Sequence, residues 1–288
     1  MTTSKSLLTW VAQRGWRHLV AIVMCVFAVF PLLYVVSSSF ASSGTLTASN
    51  QLFGSFTFDN YVDLLSDPAR PYLTWWFNTL IVSASAATIA LLFGALAAYA
   101  FSRLRFRGRR IGLGALVLTQ LFPQFLGVVA IFLLVRTLGE AVPALGLNTH
   151  TGLIAVYLGG ALGINTYLMY GYFNTVPKEI DEAAKIDGAS HIRTFFTIII
   201  PLVAPILVIV WMITYIAVAG DYVIASALLS DPNMQTATVG LFTMINTFRS
   251  DNWGAFSAGA ILSALPVVIM FLYGQKYIIG GLSAGSVK

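Results

Sequence analysis

A single cysteine, Cys25, stands among 288 residues, so disulfide or cysteine-ligand chemistry within the chain is excluded. Charge is scarce too: Asp, Glu, Lys and Arg make up 9% of the residues, against roughly a quarter in an ordinary soluble domain. No Gly-Lys dipeptide occurs, so the phosphate-cradling Walker-type loop of nucleotide hydrolases is absent. His18, His150 and His191 are scattered and lack ligand spacing such as H-E-x-x-H, which argues against a metal site. Gly152, Gly159, Gly160 and Gly163 follow no strand pattern, so they read as close-packing positions and not as a dinucleotide loop. No catalytic constellation and no cofactor motif is left, which disfavours a membrane enzyme.

What the chain has is apolar length. Hydrophobic residues are 58% of it, and crossing about 30 Å of hydrocarbon takes about 20 of them in a helix. Six runs qualify: Leu19 to Ser38, Trp76 to Phe101, Ile111 to Val135, Gly152 to Phe173, Phe195 to Val218, and Phe256 to Tyr277. They are continuously apolar without alternation, so the expected fold is an all-α integral membrane protein of six transmembrane helices and not a β-barrel. With the N-terminus inside, 13 Lys and Arg residues fall on the cytoplasmic side and three outside (Arg70, Arg136, Arg249). That asymmetry places both termini in the cytoplasm. The net charge of +5 therefore reports topology and gives no support to nucleic-acid binding. By its length the first run reads as an uncleaved anchor and not as a signal peptide.

The expected organisation is a cytoplasmic segment 1–18, a six-helix membrane domain 19–279 containing a cytoplasmic loop 174–194, and a cytoplasmic tail 280–288. The polar stretch from Ser39 to Pro71 is the longest external segment and too small to be a catalytic domain. The basic run Arg103 to Arg110 reads as an anchor at the anionic inner leaflet. Within the spans, Gln120 and Gln124 flank Pro123 at i,i+4; they either line a hydrated path or hydrogen-bond between helices. Asn78 and Asn165 are the other polar positions, and Asp221 sits at the outer end of the fifth run, within reach of water. No carboxylate lies at mid-span, which disfavours proton-coupled transport. No period of 20 to 50 residues repeats, so an internally duplicated transporter is unsupported and the chain supplies half of a pathway.

The loop between the fourth and fifth runs carries the sharpest signal. Pro177 fits the first turn of a helix, and Glu179, Asp181 and Glu182 sit near its positive end. Helical spacing puts Ile180, Ala183 and Ala184 on one stripe and pairs Asp181 with Lys185 at i,i+4 on the other side. Gly188 ends or bends the helix, and Ser190 can cap the next. The fuller pattern, Glu182-Ala183-Ala184 with Asp187-Gly188, then Ile198 and Pro201, resembles the EAA signature of permease subunits of bacterial binding-protein-dependent ABC importers.

Beyond this loop the chain is similar to the G-type permease subunits of maltose/maltodextrin importers. The resemblance is carried by Leu147-Asn148-Thr149-His150-Thr151-Gly152, Tyr157 to Gly160, Gly171-Tyr172-Phe173, Ser263 to Pro266 and the tail Gly281 to Lys288. It implies a type I ABC importer permease fold in the bacterial inner membrane, paired with a second permease subunit. Two ATP-binding subunits would lie inside and an extracytoplasmic sugar-binding protein outside, with ATP closure rotating the coupling helices to open the pathway outward. Glu182, Ala183, Ala184, Asp187 and Gly188 would couple to an ATPase subunit, and Gly285, Ser286, Val287 and Lys288 would reach the ATPase dimer. Asn246, Arg249, Asp251, Asn252 and Trp253 would meet the binding protein. Maltose, trehalose and other oligosaccharides stay open as the cargo, and a secondary transporter or channel is the disfavoured alternative.

Overall fold

A computed structural model of the chain describes residues 15–42, 52–248 and 253–284. Its helices are α1 (Trp16–Ser39), α2 (Asp59–Ser66), α3 (Tyr72–Arg103), α4 (Arg109–Thr119), α5 (Val128–Ala141) and α6 (His150–Phe173). There follow α7 (Glu179–Ile186), α8 (His191–Thr194), α9 (Ile200–Ala219), α10 (Val223–Leu228), α11 (Ala237–Phe248) and α12 (Trp253–Ala284). No strand occurs among the described residues. Five continuous helical stretches there are long and apolar enough to cross a membrane: Trp16–Ser39, Tyr72–Arg103, His150–Phe173, His191–Ala219 and Trp253–Tyr277.

The third apolar run differs from expectation: in place of one helix over 111–135 there are α4, a 3-10 turn at Gln124–Gly127, and α5. Pro123 is the cause, because it has no N–H to donate and its ring clashes with the carbonyl four residues back, which ends the helix at Thr119. The Gln120 and Leu121 amides close the last turn of α4 on Val117 and Leu118. Gln120 and Gln124 therefore share no helix face, contrary to their i,i+4 reading. The fifth run starts earlier than Phe195, at His191, and passes through a wide π turn at Phe195–Ile199 before α9. Pro201 cannot donate to the carbonyl four residues back, and the wide turn just ahead of it accommodates that loss. The last helix continues through 280–284, which were expected as tail; Gly280 and Gly281 weaken a helix by about 1 kcal/mol each without stopping it.

The chain forms two compact units, one from residues up to Pro68 with Thr243–Leu262, the other from Ala69–Phe242 with Ser263 onward. In the first, none of the apolar window of α1 is buried, whereas Ser37, Ser38 and Ser39 at its end are. Asn60 of α2 donates from Nδ2 to the Ser39 and Ala41 carbonyls at 3.0 and 2.8 Å, and Phe40 stacks on Phe56 with centroids 4.5 Å apart.

In the second unit α3 packs against α6 and α9. Helices gain little hydrophobic driving force from one another in lipid, so close approach through small residues has to hold them. α3 supplies Ala86, Ala87, Ala90, Gly94, Ala95 and Ala98, all buried. Val82, Val135, Leu153 and Val218 fill the core at one end, and Met169, Phe173, Phe195 and Ile199 fill it at the other. Some polar groups inside are paired: Asn165 Nδ2 donates to Thr214 Oγ1 at 3.0 Å, and Asn78 Nδ2 to the Asn233 and Gln235 carbonyls, whereas the buried Ser83 and Thr236 hydroxyls have no partner among the described residues. Asp221 is tied down in place of facing water freely. Tyr157 donates to its Oδ1 at 2.9 Å, and it accepts the Ile224 and Ala225 amides at the start of α10. Asn148, at φ 55, accepts the Ser230 and Asp231 amides on its side-chain oxygen, and Thr149 caps α6. Of the α6 glycines, Gly152 and Gly163 sit where a Cβ would collide, but Gly159 has nothing within 4 Å and borders an apolar crevice.

A membrane-buried interhelical hydrogen bond averages about 0.6 kcal/mol, so steric fit should dominate mutational cost here. A Cβ on Gly240 would fall 2.2 Å from the Trp75 ring, whose Nε1 is already fixed to the Pro232 carbonyl at 2.7 Å. Gly240→Val is expected to destabilise by about 1–3 kcal/mol through overpacking, seen as a lower melting temperature in detergent, while Gly159→Ala, with space for its Cβ, should hold or slightly raise it.

Candidate functional site

The site is built on α7. Its sequence Glu-Ile-Asp-Glu-Ala-Ala-Lys-Ile starts with three acidic residues in the first turn and has Lys185 in the last, both favourable to the helix dipole. Pro177 lies just ahead of the helix and not in its first turn, since Lys178 is the N-cap. At the other end Gly188 has φ +78. Its amide donates to the Lys185 carbonyl at 3.0 Å, and the Ala189 amide reaches back to the Ala184 carbonyl at 2.9 Å. This pair of bonds is a Schellman closure, which needs a left-handed residue at the position Gly188 occupies. Ser190 then caps α8 by accepting the Arg193 amide at 3.3 Å.

The faces of α7 differ from the expected ones. Asp181 and Ala184 are buried, with Ile180 packed on the core beside them. Ala183, one step of about 100° onward, turns outward together with Glu182, Lys185, Ile186 and Asp187. Ile186 is 87% exposed. Asp181 does not spend its charge on Lys185. Its Oδ2 lies 2.8 Å from Nε of Arg103, the last residue of α3, and the two side chains are 11% and 5% exposed. Arg103 Nη2 also donates to the Val176 carbonyl at 2.8 Å, and Ser102 Oγ donates to Asn174 Oδ1 at 2.9 Å. The loop after α6 is thus held to the end of α3 at Asn174, Val176 and Asp181. Arg103, Ser102 and Tyr99, whose ring meets Phe195 at 5.1 Å, are site residues that the sequence reading missed. The available signal was Asp181 itself, which at i,i+3 shares a face with Ala184.

The other expected site residues fall elsewhere. Gln120 donates from Nε2 to the Gly160 carbonyl at 3.0 Å, between α4 and α6, and lines a crevice with Phe122, Gly127 and Gly159. Gln124 opens the 3-10 turn after Pro123. Asn246 lies in α11 and Trp253 begins α12. Trp253 stacks on Phe256 at 5.3 Å with its Nε1 enclosed, so its N–H is not offered outward. Arg249, Asp251 and Asn252, and the tail residues Gly285, Ser286, Val287 and Lys288, lie outside the described residues. No group of His, Cys, Asp or Glu suited to a metal occurs among the described residues. A rigidly seated short helix with a free outer face can transmit force to the helices beneath it.

Comparison with known proteins places the fold in a family. The chain is 38% identical over 274 residues to the galactooligosaccharides transport system permease protein GanQ of Bacillus subtilis, covering 95% of each. It is 39% identical over 270 residues to the maltose/maltodextrin transport system permease protein MalG of Vibrio vulnificus, covering 90% of each. A solved bacterial ABC transporter involved in the import of the polysaccharide alginate superposes with a TM-score of 0.76 at 25% identity, over 92% of this chain and 97% of that one. Residues 90–277 match the family described as the binding-protein-dependent transport system inner membrane component, and the chain belongs to that family.

Proposed function

We propose that this chain is a permease subunit of an ATP-driven importer and forms half of the translocation pathway for maltodextrin-type oligosaccharides. The observation that carries the reading is α7: fixed beneath by Arg103–Asp181 and Ala184, and open above along Glu182, Ala183, Ile186 and Asp187. The fold is that of type I ABC importer permeases. The relatives named above carry oligosaccharides by name, which supports that cargo class. The chain itself is non-catalytic, and ATP hydrolysis belongs to two separate subunits docked on the α7 face. Both termini are cytoplasmic, in keeping with the Lys and Arg distribution. A second permease subunit completes the pathway. The segment around Asn246 to Trp253 meets the sugar-binding protein outside, and Gly285 to Lys288 reach the ATPase dimer. Gln120 and Gln124 stand near the pathway lining.

Glu182 is exposed before docking. If an ATPase cleft buries it, its charged hydrogen bond is worth about 1.5–3 kcal/mol, or roughly ten- to hundredfold in affinity at 1.4 kcal/mol per tenfold. No atom lies within 4 Å of a Cβ built on Gly188, so Gly188→Val acts through the backbone alone, at about 1–2 kcal/mol. Glu182→Lys and Gly188→Val are expected to leave the chain in the membrane with its partner permease while lowering ATPase-subunit retention and sugar uptake together. Co-purification from detergent and radiolabelled uptake in vesicles check this; full retention with normal uptake would reject α7 as the coupling element. Isothermal titration of the cognate binding protein with maltodextrins, trehalose and galactooligosaccharides decides the sugar.

The clamp beneath the helix has its own signature. Asp181→Leu strands a buried guanidinium and should cost about 3–5 kcal/mol, whereas Arg103→Met with Asp181→Leu removes both charges and should restore most of it. Melting temperature and ATPase-subunit retention are expected to fall in the single variant and recover in the double. A double variant as impaired as the single would show that the ion pair is not what seats α7.

A further inference from the structure

We propose that the recess between the loop after α3 and the flank of α7 that carries Glu182 and Lys185 binds the phosphate headgroup of an anionic phospholipid. The proposal rests on the cytoplasmic orientation read above. The recess is a cavity of about 390 Å³. Arg103, Arg105, Arg109, Lys178 and Lys185 line it, against the carboxylates of Asp181 and Glu182 alone. Arg103 and Asp181 neutralise one another at 2.8 Å, which leaves three cations, net, facing one hollow. A cleft lined with one sign of charge concentrates its field and draws counter-ions. Guanidinium forks also match phosphate oxygens in a way that point charges do not. Arg109 is available for such a role: its contacts with the Ser102 carbonyl and the Tyr170 hydroxyl are both long, at 3.5 Å.

A lipid fits better than a free anion because the basic recess is continuous with apolar surface at membrane depth. Arg105 and Arg109 also border a second hollow of about 490 Å³ rimmed by Phe106 and Ile111, which are 46% and 79% exposed. Both hollows lie at the end of the span Tyr72–Arg103, the level at which headgroups sit. A headgroup in the first hollow with acyl chains over Phe106 and Ile111 would join the basic loop to Lys178 and Lys185, and so tie α7 to the inner leaflet.

Native mass spectrometry of the delipidated chain, purified with its co-expressed partners, tests this by titration with phosphatidylglycerol, phosphatidylethanolamine and inorganic phosphate. The first phosphatidylglycerol is expected to bind at least tenfold more tightly than phosphatidylethanolamine. Arg105→Gln with Arg109→Gln should lower that affinity at least fivefold, Arg105→Lys with Arg109→Lys should lower it less, and Lys276→Gln, outside the recess, should leave it unchanged. Equal affinity for the two lipids, or an equal loss in Lys276→Gln, would overturn the site. Inorganic phosphate displacing phosphatidylglycerol at equal concentration would overturn the lipid as its occupant. If the double glutamine variant does not assemble, the two-lipid comparison on the unaltered chain decides. The lipid adduct is read on this chain whether or not ATPase subunits stay attached, so failure of the importer reading is seen separately. Labelling of Arg105→Cys by a membrane-impermeant maleimide only from outside would overturn the orientation and, with it, the inner-leaflet site.

Discussion

The Arg103–Asp181 ion pair is the interaction on which the seating of α7 depends. α7 has eight residues, well short of the 12 to 15 or so that make an isolated helix even marginal in water. It persists because three local devices agree: acidic residues in its first turn, the Schellman closure at Gly188, and the buried charge of Asp181 against the end of α3. An ion pair of this kind adds little net stability over an apolar pair of similar size, yet it is costly to half-remove. Its use is therefore positional. It accepts one seating of α7 on the helix bundle and penalises others, and that is what a force-transmitting element requires.

The membrane portion follows a different constraint. With no hydrophobic gain from helix association in lipid, α3 meets its neighbours through a stripe of alanine and glycine. Interhelical hydrogen bonds such as Asn165 to Thr214, between α6 and α9, supplement it without any mid-span charge. Proline sets the breaks. Pro123 splits the third crossing into α4 and α5, and Pro201 accompanies the π turn that leads from α8 into α9. Both interruptions lie close to elements proposed to act in transport, one beside Gln120 and Gln124 and the other directly after the α7 loop.

Much of this was legible in the chain because its signals are local. Apolar length marks the spans, and Glu182-Ala183-Ala184 with Gly188 marks a helix and its turn. The Gly188 turn is a backbone requirement that a single residue type announces. The seating of α7 was not legible, since its partner Arg103 lies 78 positions earlier and sits inside a basic run that membrane topology already explains. The break at Pro123 could have been read from the proline alone, but the apolar run on either side masked it. Ala183 was placed on the wrong face because a stripe drawn through alanines follows hydrophobicity. The true inner stripe runs through Asp181, a carboxylate whose burial is intelligible only once its counter-charge is in place.

The most direct measurement is site-specific photo-crosslinking in the assembled transporter, with a benzophenone side chain at Ile186 on the open face of α7 and, separately, at Ala184 on its seated face. Ile186 should crosslink to an ATP-binding subunit, with a yield that changes when ATP is bound, and Ala184 should crosslink only within the chain. Crosslinks from Ile186 to lipid alone, or equal capture of the ATP-binding subunit from both positions, would contradict α7 as the element that couples this permease to ATP.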